Sequence, residues 1–302
     1  LVVNIRQRKH GIMMKFTHYL IILMSLAFSA NAQKGEHNEA DSTAIAKPRI
    51  IALAPHIVEM LFDIGAGEQI VAATEHADYP LAAQKIPRIG NSLRIQLERV
   101  IELQPDLIIA WKSGNPSDDL ARIKQLGFNV VYSQPDTFND VAKELRLLGK
   151  LSGHSEQAEQ VASKFLTDLA KIKQQYGQKQ KLTGFYEVWS RPLTTIAKGS
   201  WPQQFLDICS IDNPFHGADA RYPQVNIEQI LQSNIDIIIQ PLSENQTAKE
   251  GYTWEQWPIL PAVKHNQIIK LDADVVHRMT TRSLNALSDL CQQADKSRAF
   301  YK

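Results

Sequence analysis

The sequence predicts an α/β chain of two lobes, each a mainly parallel sheet flanked by helices, joined by one long α-helix with a cleft between the lobes. Three observations carry this. Short continuous aliphatic runs alternate with helical stretches, as parallel strands covered on both faces require. One segment of about 23 residues holds apolar side chains at helical spacing and contains neither Gly nor Pro. The second half also echoes the first: Glu98, Asp106 and the aliphatic run after them recur as Glu228, Asp236 and their run, 130 residues further on.

The elements follow in order. Residues 33–47 are polar and aperiodic and read as a flexible leader, with order beginning at Lys47-Pro48. The N-terminal lobe is expected over 48–152, with strands at 50–53, 69–74, 106–111 and 129–133. Gly65-Ala66-Gly67 follows a helical stretch, and Ile70 stands where a dinucleotide fingerprint needs its last glycine. The motif therefore reads as a helix stop. Between Gly153 and Gly177, apolar residues recur at Ala158, Val161, Ala162, Phe165, Leu166, Leu169, Ile172 and Tyr176. This predicts a linking helix over 153–177, about 34 Å long at 1.5 Å per residue. Strands at 182–188, 193–196, 236–239 and 267–271 then build a C-terminal lobe over 178–296. A single linking helix is stiffer than a hinge of several strands, so a largely pre-formed cleft with modest closure is expected.

The N-terminus reads as a signal peptide. Residues 1–32 hold Arg6, Arg8, Lys9 and Lys15 and no acid. Lys15 precedes an apolar run from Tyr19 to Phe28, and Ala30 and Ala32 occupy the −3 and −1 positions of a secretory cleavage site. Cleavage after Ala32 makes Gln33 the first mature residue. The run falls short of the roughly 18 apolar residues a membrane span needs. Met13 or Met14 makes a better start than Leu1, which leaves residues 1–12 as a start-site artefact. With 33 basic and 32 acidic residues overall, there is no charge excess to drive phosphate-backbone binding, and no motif supports a nucleic-acid role.

Export changes how Cys209 and Cys291 read. In an oxidising compartment an even count suggests a bridge, closing a loop of about 83 residues and worth roughly 4–5 kcal/mol. Two buried free thiols are the alternative. Neither cysteine lies at the cleavage site, so no lipid anchor is indicated. A soluble exported chain is retained only where an outer membrane encloses it, which points to a periplasm.

Motifs for catalysis are missing: there is no P-loop, HExxH, CxxC or GxSxG. His56, Glu75, His76, His216, His265 and His277 lack ligand spacing, so they read as surface or hydrogen-bonding groups and no metal site is expected. The aromatic residues are more informative. Tyr79, Trp111, Trp189, Trp201 and Tyr222 lie at strand ends or in loops, where flat side chains bury a planar ligand at low entropic cost. Trp254 and Trp257 read as packing residues. Asp274 and Arg278 follow the run 267–271, placed either to bond a polar ligand edge or to pair with each other.

These residues resemble a known family. Ala77-Asp78-Tyr79-Pro80, the run from Leu97 to Trp111 with Gly114-Asn115, the long helix, and Tyr222-Pro223-Gln224-Val225 with Glu228 are similar to the helical-backbone (class III) substrate-binding proteins of ABC importers, over about 48–295. The closest likeness is to the cobalamin-binding members. The resemblance implies a periplasmic carrier and not an enzyme. It would have no cofactor, a corrinoid (vitamin B12) as transported ligand, and an importer permease with its ATPase as partner. It would act as a monomer and meet the membrane only through that permease. Tyr79 and Trp111 match aromatic residues near the corrin, Tyr222 stands where those members have a tryptophan, and Asp274 and Arg278 match polar contacts. Cys209 and Cys291 match a disulfide of the family. Glu98 and Glu228 match two glutamates, one per lobe, that dock onto permease arginines; as acids in a first helical turn they also favour the helix dipole by about 0.3–1 kcal/mol.

One departure stands out. Gly90-Asn91-Ser92-Leu93 lacks a ligand-facing tryptophan of the family, with Ser92 or Leu93 in its place. Haem, a ferric siderophore or a metal ion therefore stay open as alternative cargoes on the same scaffold. The rival from another class is an exported hydrolase using Glu59 and Glu187 as cleft carboxylates.

Overall fold

The computed structural model describes residues 47–243 and 252–301, so the signal peptide, its cleavage site and residues 33–46 of the leader lie outside the described residues. The first sheet holds β1 (Ile50–Ala52), β2 (Ile70–Ala73), β3 (Leu107–Trp111) and β4 (Val130–Ser133), all parallel, in the order β2-β1-β3-β4. Between its strands run α1 (Pro55–Asp63), α2 (Leu97–Leu103) and α3 (Ser117–Gln125), and after it α4 (Phe138–Ser152). Continuous aliphatic runs form these strands because both faces are covered. Ile50, Ala52, Leu107 and Ile109 enter one apolar cluster with α1 and α4, whereas Ile51, Ile108 and Ala110 enter another with Val100, Leu120 and Ile123 of α2 and α3.

Gly153, at φ 77°, ends α4 in the left-handed conformation that glycine tolerates, and the chain reverses into α5 (Ser155–Tyr176). α5 has 22 residues and buries Ala158, Ala162, Phe165, Leu169 and Tyr176 along one stripe. That stripe belongs to a cluster containing side chains of both sheets, so the long helix binds the two lobes through one shared core.

The second sheet has the order β10-β9-β5-β8, again parallel: β5 (Leu182–Tyr186), β8 (Ile211–Asp212), β9 (Ile237–Leu242) and β10 (Ile268–Asp272). Its helices are α6 (Gln203–Ile208), α7 (Ile227–Gln232), α8 (Pro261–Lys264), α9 (Ala273–Val276) and α10 (Ser283–Ser297). The run 182–188 ends as a strand at Tyr186, and 193–196 does not join the sheet. β6 (Trp189–Ser190) and β7 (Leu193–Thr194) instead pair antiparallel as a small hairpin turning at Arg191-Pro192. β8, at two residues, is too short to show periodicity.

The internal repeat has a physical cause. In the first lobe the Asp106 carboxylate accepts the Arg49 backbone N–H at 2.8 Å, and the Asp106 N–H donates to the Arg49 carbonyl at 3.0 Å. In the second, Asp236 does the same with Thr183, at 2.8 and 2.9 Å. Each aspartate thus fastens a strand to the start of its neighbour. Each follows a helix that ends in a left-handed residue, Gln104 at φ 44° and Asn234 at φ 47°.

Cys209, just past α6, is bonded to Cys291 of α10, with Cα atoms 4.8 Å apart and a separation of 82 positions in sequence. Replacing both by serine should lower unfolding free energy by about 4–5 kcal/mol in the chain-entropy account. The denaturant midpoint, compared with that of the oxidised protein, reads this directly. An unchanged midpoint would mean that the buried surroundings alone fix α10 against α6.

Candidate functional site

Parallel strands end on the same side of their sheet, and the loops after those ends form a cavity of about 520 Å³ between the lobes. One wall is Trp111, the last residue of β3, with Gln134 and Asp136 just beyond β4. The facing wall includes Trp189, Trp201, Tyr222 and His277.

Local interactions fix Trp111. Its backbone N–H donates to Asn115 Oδ1 at 2.7 Å, and Asn115 Nδ2 donates to the Leu53 carbonyl at 2.8 Å, so one amide joins β3 to the end of β1. A methyl group at Gly114 would overlap the indole ring, so glycine is needed there for close approach. His56 meets the ring edge-on with centroids 5.4 Å apart, and its Nε2 lies 3.2 Å from Ser133 Oγ. Burial pushes this imidazole down to about 3. Across the cavity, His277 lies 3.0 Å through Nε2 from the Tyr186 hydroxyl, and desolvation by the surrounding protein lowers it to about 4. Both rings are uncharged at neutral pH, and the charged residues on the cavity wall, Asp136 and Arg221, pair with each other at 3.5 Å. Trp201 is fixed by donation from its Nε1 to the Val276 carbonyl at 2.9 Å.

Beside the cavity lies a cluster of charges that joins the lobes. Glu59 of α1 is 1% exposed and accepts from Arg282 Nε and Nη2 at 2.9 and 2.7 Å, and from Arg278 Nη1 at 3.0 Å. Arg278 also donates to Asp78 at 2.7 Å and to Asp274 at 3.4 Å. Burial would raise the Asp78 carboxyl, but the hydrogen bond and charge of Arg278 outweigh it and hold the group below the ordinary range. One turn after Glu59, Asp63 accepts from Thr281 Oγ1 at 2.7 Å, and here burial prevails and raises the carboxyl. The Arg282 guanidinium stacks 3.7 Å above the Tyr79 ring.

The residues singled out in the sequence therefore divide into groups. Trp111 and Tyr222 line the cavity. Tyr79, Asp274 and Arg278 surround the charge cluster, and Arg278 pairs across the lobes as well as with Asp274. Glu59 and Glu187 have their oxygens occupied, the former by two arginines and the latter by Ser190, Gln240, Tyr252 and Trp254. Arg282, the second cation on Glu59, was missed. Its only signal in the sequence is that Glu59 sits in an apolar helical run and so needs a distant partner. Among the described residues, no group of three His, Cys, Asp or Glu side chains is placed to hold a metal ion, and no helix is long and apolar enough to cross a membrane.

Glu98 and Glu228 are both exposed, each the second residue of its helix, α2 and α7, and neither enters an ion pair among the described residues.

The sequence profile of the periplasmic binding protein family matches residues 50–275. The chain is 37% identical over 252 residues to a vitamin B12-binding protein of Vibrio cholerae, covering 82% of this chain and 90% of that one. It is 35% identical over 245 residues to a vitamin B12-binding protein of Vibrio parahaemolyticus, covering 81% and 88%. The crystal structure of the periplasmic vitamin B12 binding protein of Vibrio cholerae superimposes with a TM-score of 0.76 at 35% identity, over 83% of this chain and 98% of that one.

Removing the Glu59 carboxylate leaves two arginines, 11% and 20% exposed at their side chains, without their buried anion. Glu59→Ala should therefore lower unfolding free energy by about 3–5 kcal/mol, measured by urea denaturation. Stability equal to that of the parent would show that apolar contact alone holds the lobes together.

Proposed function

We propose, for a chain that belongs to the periplasmic binding protein family, that it captures a corrinoid, vitamin B12, between its lobes and delivers it to an inner-membrane ABC importer. The observation that carries this reading is the likeness to vitamin B12-binding proteins along nearly their whole length. The cavity supports it, because its aromatic walls suit the face of a flat macrocycle, and the paired Asp136 and Arg221 beside them can meet a polar edge. No bond is made or broken, and the corrinoid is cargo and not cofactor.

In this reading Trp111 and Tyr222 take the ring from opposite lobes, and Tyr79, Asp274 and Arg278 meet polar groups at its edge. Arg278 already bonds Glu59, Asp78 and Asp274, so a ligand amide exchanges hydrogen bonds there and does not add to them. The protein works in the periplasm as a monomer once residues 1–32 are removed after Ala32. Glu98 and Glu228, at equivalent positions of the repeat, present one acid per lobe to cationic residues of the permease, fixing register and encounter rate more than affinity. Release requires the permease and its ATPase to part the lobes, and hence to break the Glu59 pairs.

Calorimetric titration of the chain from Gln33 with cyanocobalamin should give one-to-one binding. Haem or a ferric hydroxamate binding in its place, with no heat from cyanocobalamin, would keep the carrier and overturn the cargo. The double variant Glu98→Arg/Glu228→Arg should abolish uptake in cells while leaving calorimetric affinity within about twofold of the parent. A loss of affinity in that variant would assign the two glutamates to the cleft or the fold.

A further inference from the structure

A second cavity, of about 510 Å³, lies against the long helix and shares no lining residue with the cavity beyond the strand ends. Phe165 and Ile172 of α5 and Leu284 of α10 make its apolar side, as part of the shared core or packed against it. Its polar side holds Asp63, the last residue of α1, and Thr281, just before α10, whose hydroxyl donates to Asp63 Oδ2 at 2.7 Å. Asp63 enters no ion pair among the described residues. Burial and the Glu59 charge one turn away raise its carboxyl by more than Thr281 and Arg282 lower it. Both cations that line the cavity are engaged elsewhere: Arg282 bonds Glu59 through Nε and Nη2, and Lys164 bonds Asp168. In the whole cluster the carboxylates of Glu59, Asp63, Asp78 and Asp274 face only the guanidiniums of Arg278 and Arg282, so negative charge is in excess.

A carboxylate without a cation, at the edge of an apolar cavity of ligand size, selects for one compact positive head on a hydrocarbon body. An anion would meet Asp63, and a bare inorganic ion would leave the apolar side facing water. Lysine side chains divide in the same way, with the stem laid along apolar surface and the ammonium kept at a polar rim. We propose that this cavity is a second binding site, for a small primary alkylammonium whose head bonds Asp63 and whose chain lies on Phe165, Ile172 and Leu284. Asp63 belongs to the first lobe and Thr281 to the second, so the bound head sits where the lobes are already clasped. The site does not depend on the corrinoid reading.

The test is an NMR titration of the isotope-labelled chain from Gln33 with hexylammonium, with hexanol and hexanoate as the neutral and anionic probes. Hexylammonium should shift the backbone amides of α5 and of the segment 281–288 in a saturable way, and should bind about tenfold more tightly than hexanol, with hexanoate weakest. Asp63→Asn keeps an acceptor for Thr281 and should bring hexylammonium down to the affinity of hexanol. Asn285→Trp, at an exposed position on the cavity rim, should block both probes without lowering the melting temperature. Equal affinity for hexylammonium and hexanol, or an affinity unchanged in Asp63→Asn, would overturn the proposal, since the cavity would then read only the hydrocarbon. Shifts confined to the amides around Trp111 and Tyr222, or no saturable shift at all, would overturn it as well. None of these outcomes bears on the calorimetry with cyanocobalamin.

Discussion

A carboxylate that is 1% exposed must have its oxygens met by donors, and in this protein those of Glu59 are two cations from the far end of the chain, Arg278 and Arg282. Much of the rest is arranged around that requirement. The two arginines draw in Asp78, Asp274 and the Tyr79 ring, and the neighbouring Thr281 engages Asp63. The segment carrying the arginines also places His277 and Met279 on the cavity wall, so the same pairing that joins the lobes sets one side of the site. Buried ion pairs add little net stability compared with apolar packing, but their directionality selects one relative placement of two bodies. A shared apolar core would tolerate more sliding.

The division of labour between the cavity and the cluster beside it follows from dielectric. With His277 on its wall and His56 against Trp111 both uncharged, and with Asp136 and Arg221 paired to each other, the cavity can take an apolar ring without leaving a charge unpaired. The buried charges around Glu59 lie in a separate group, where each has a partner.

Much of the fold was legible in the sequence because its signals are local. Aliphatic runs marked the sheet strands, and two glycines bracketed the long helix. The repeat at Asp106 and Asp236 marked a hydrogen-bonding device used twice. The 193–196 run was misread as a sheet strand because a hairpin of two residues a side carries no periodic signal. In the site, Trp111 was legible at a strand end, and Gly114 and Asn115 belonged to the motif that holds it. The pairing of Glu59 with Arg278 and Arg282 was not legible, because residues more than two hundred positions apart meet only through tertiary structure. The same is true of Glu187, whose four donors come from three separated segments.

The Asp106 and Asp236 locks each close within their own lobe, across 57 and 53 residues, whereas the Glu59 pairs span 219 and 223. Closing short loops before long ones is the entropically cheaper order during folding. Wherever the first lobe forms ahead of the segment that carries Arg278 and Arg282, Glu59 has no cation to meet. Until they arrive, α1 must keep that carboxylate in water. The C-terminal end of the chain therefore decides when its first helix can be buried.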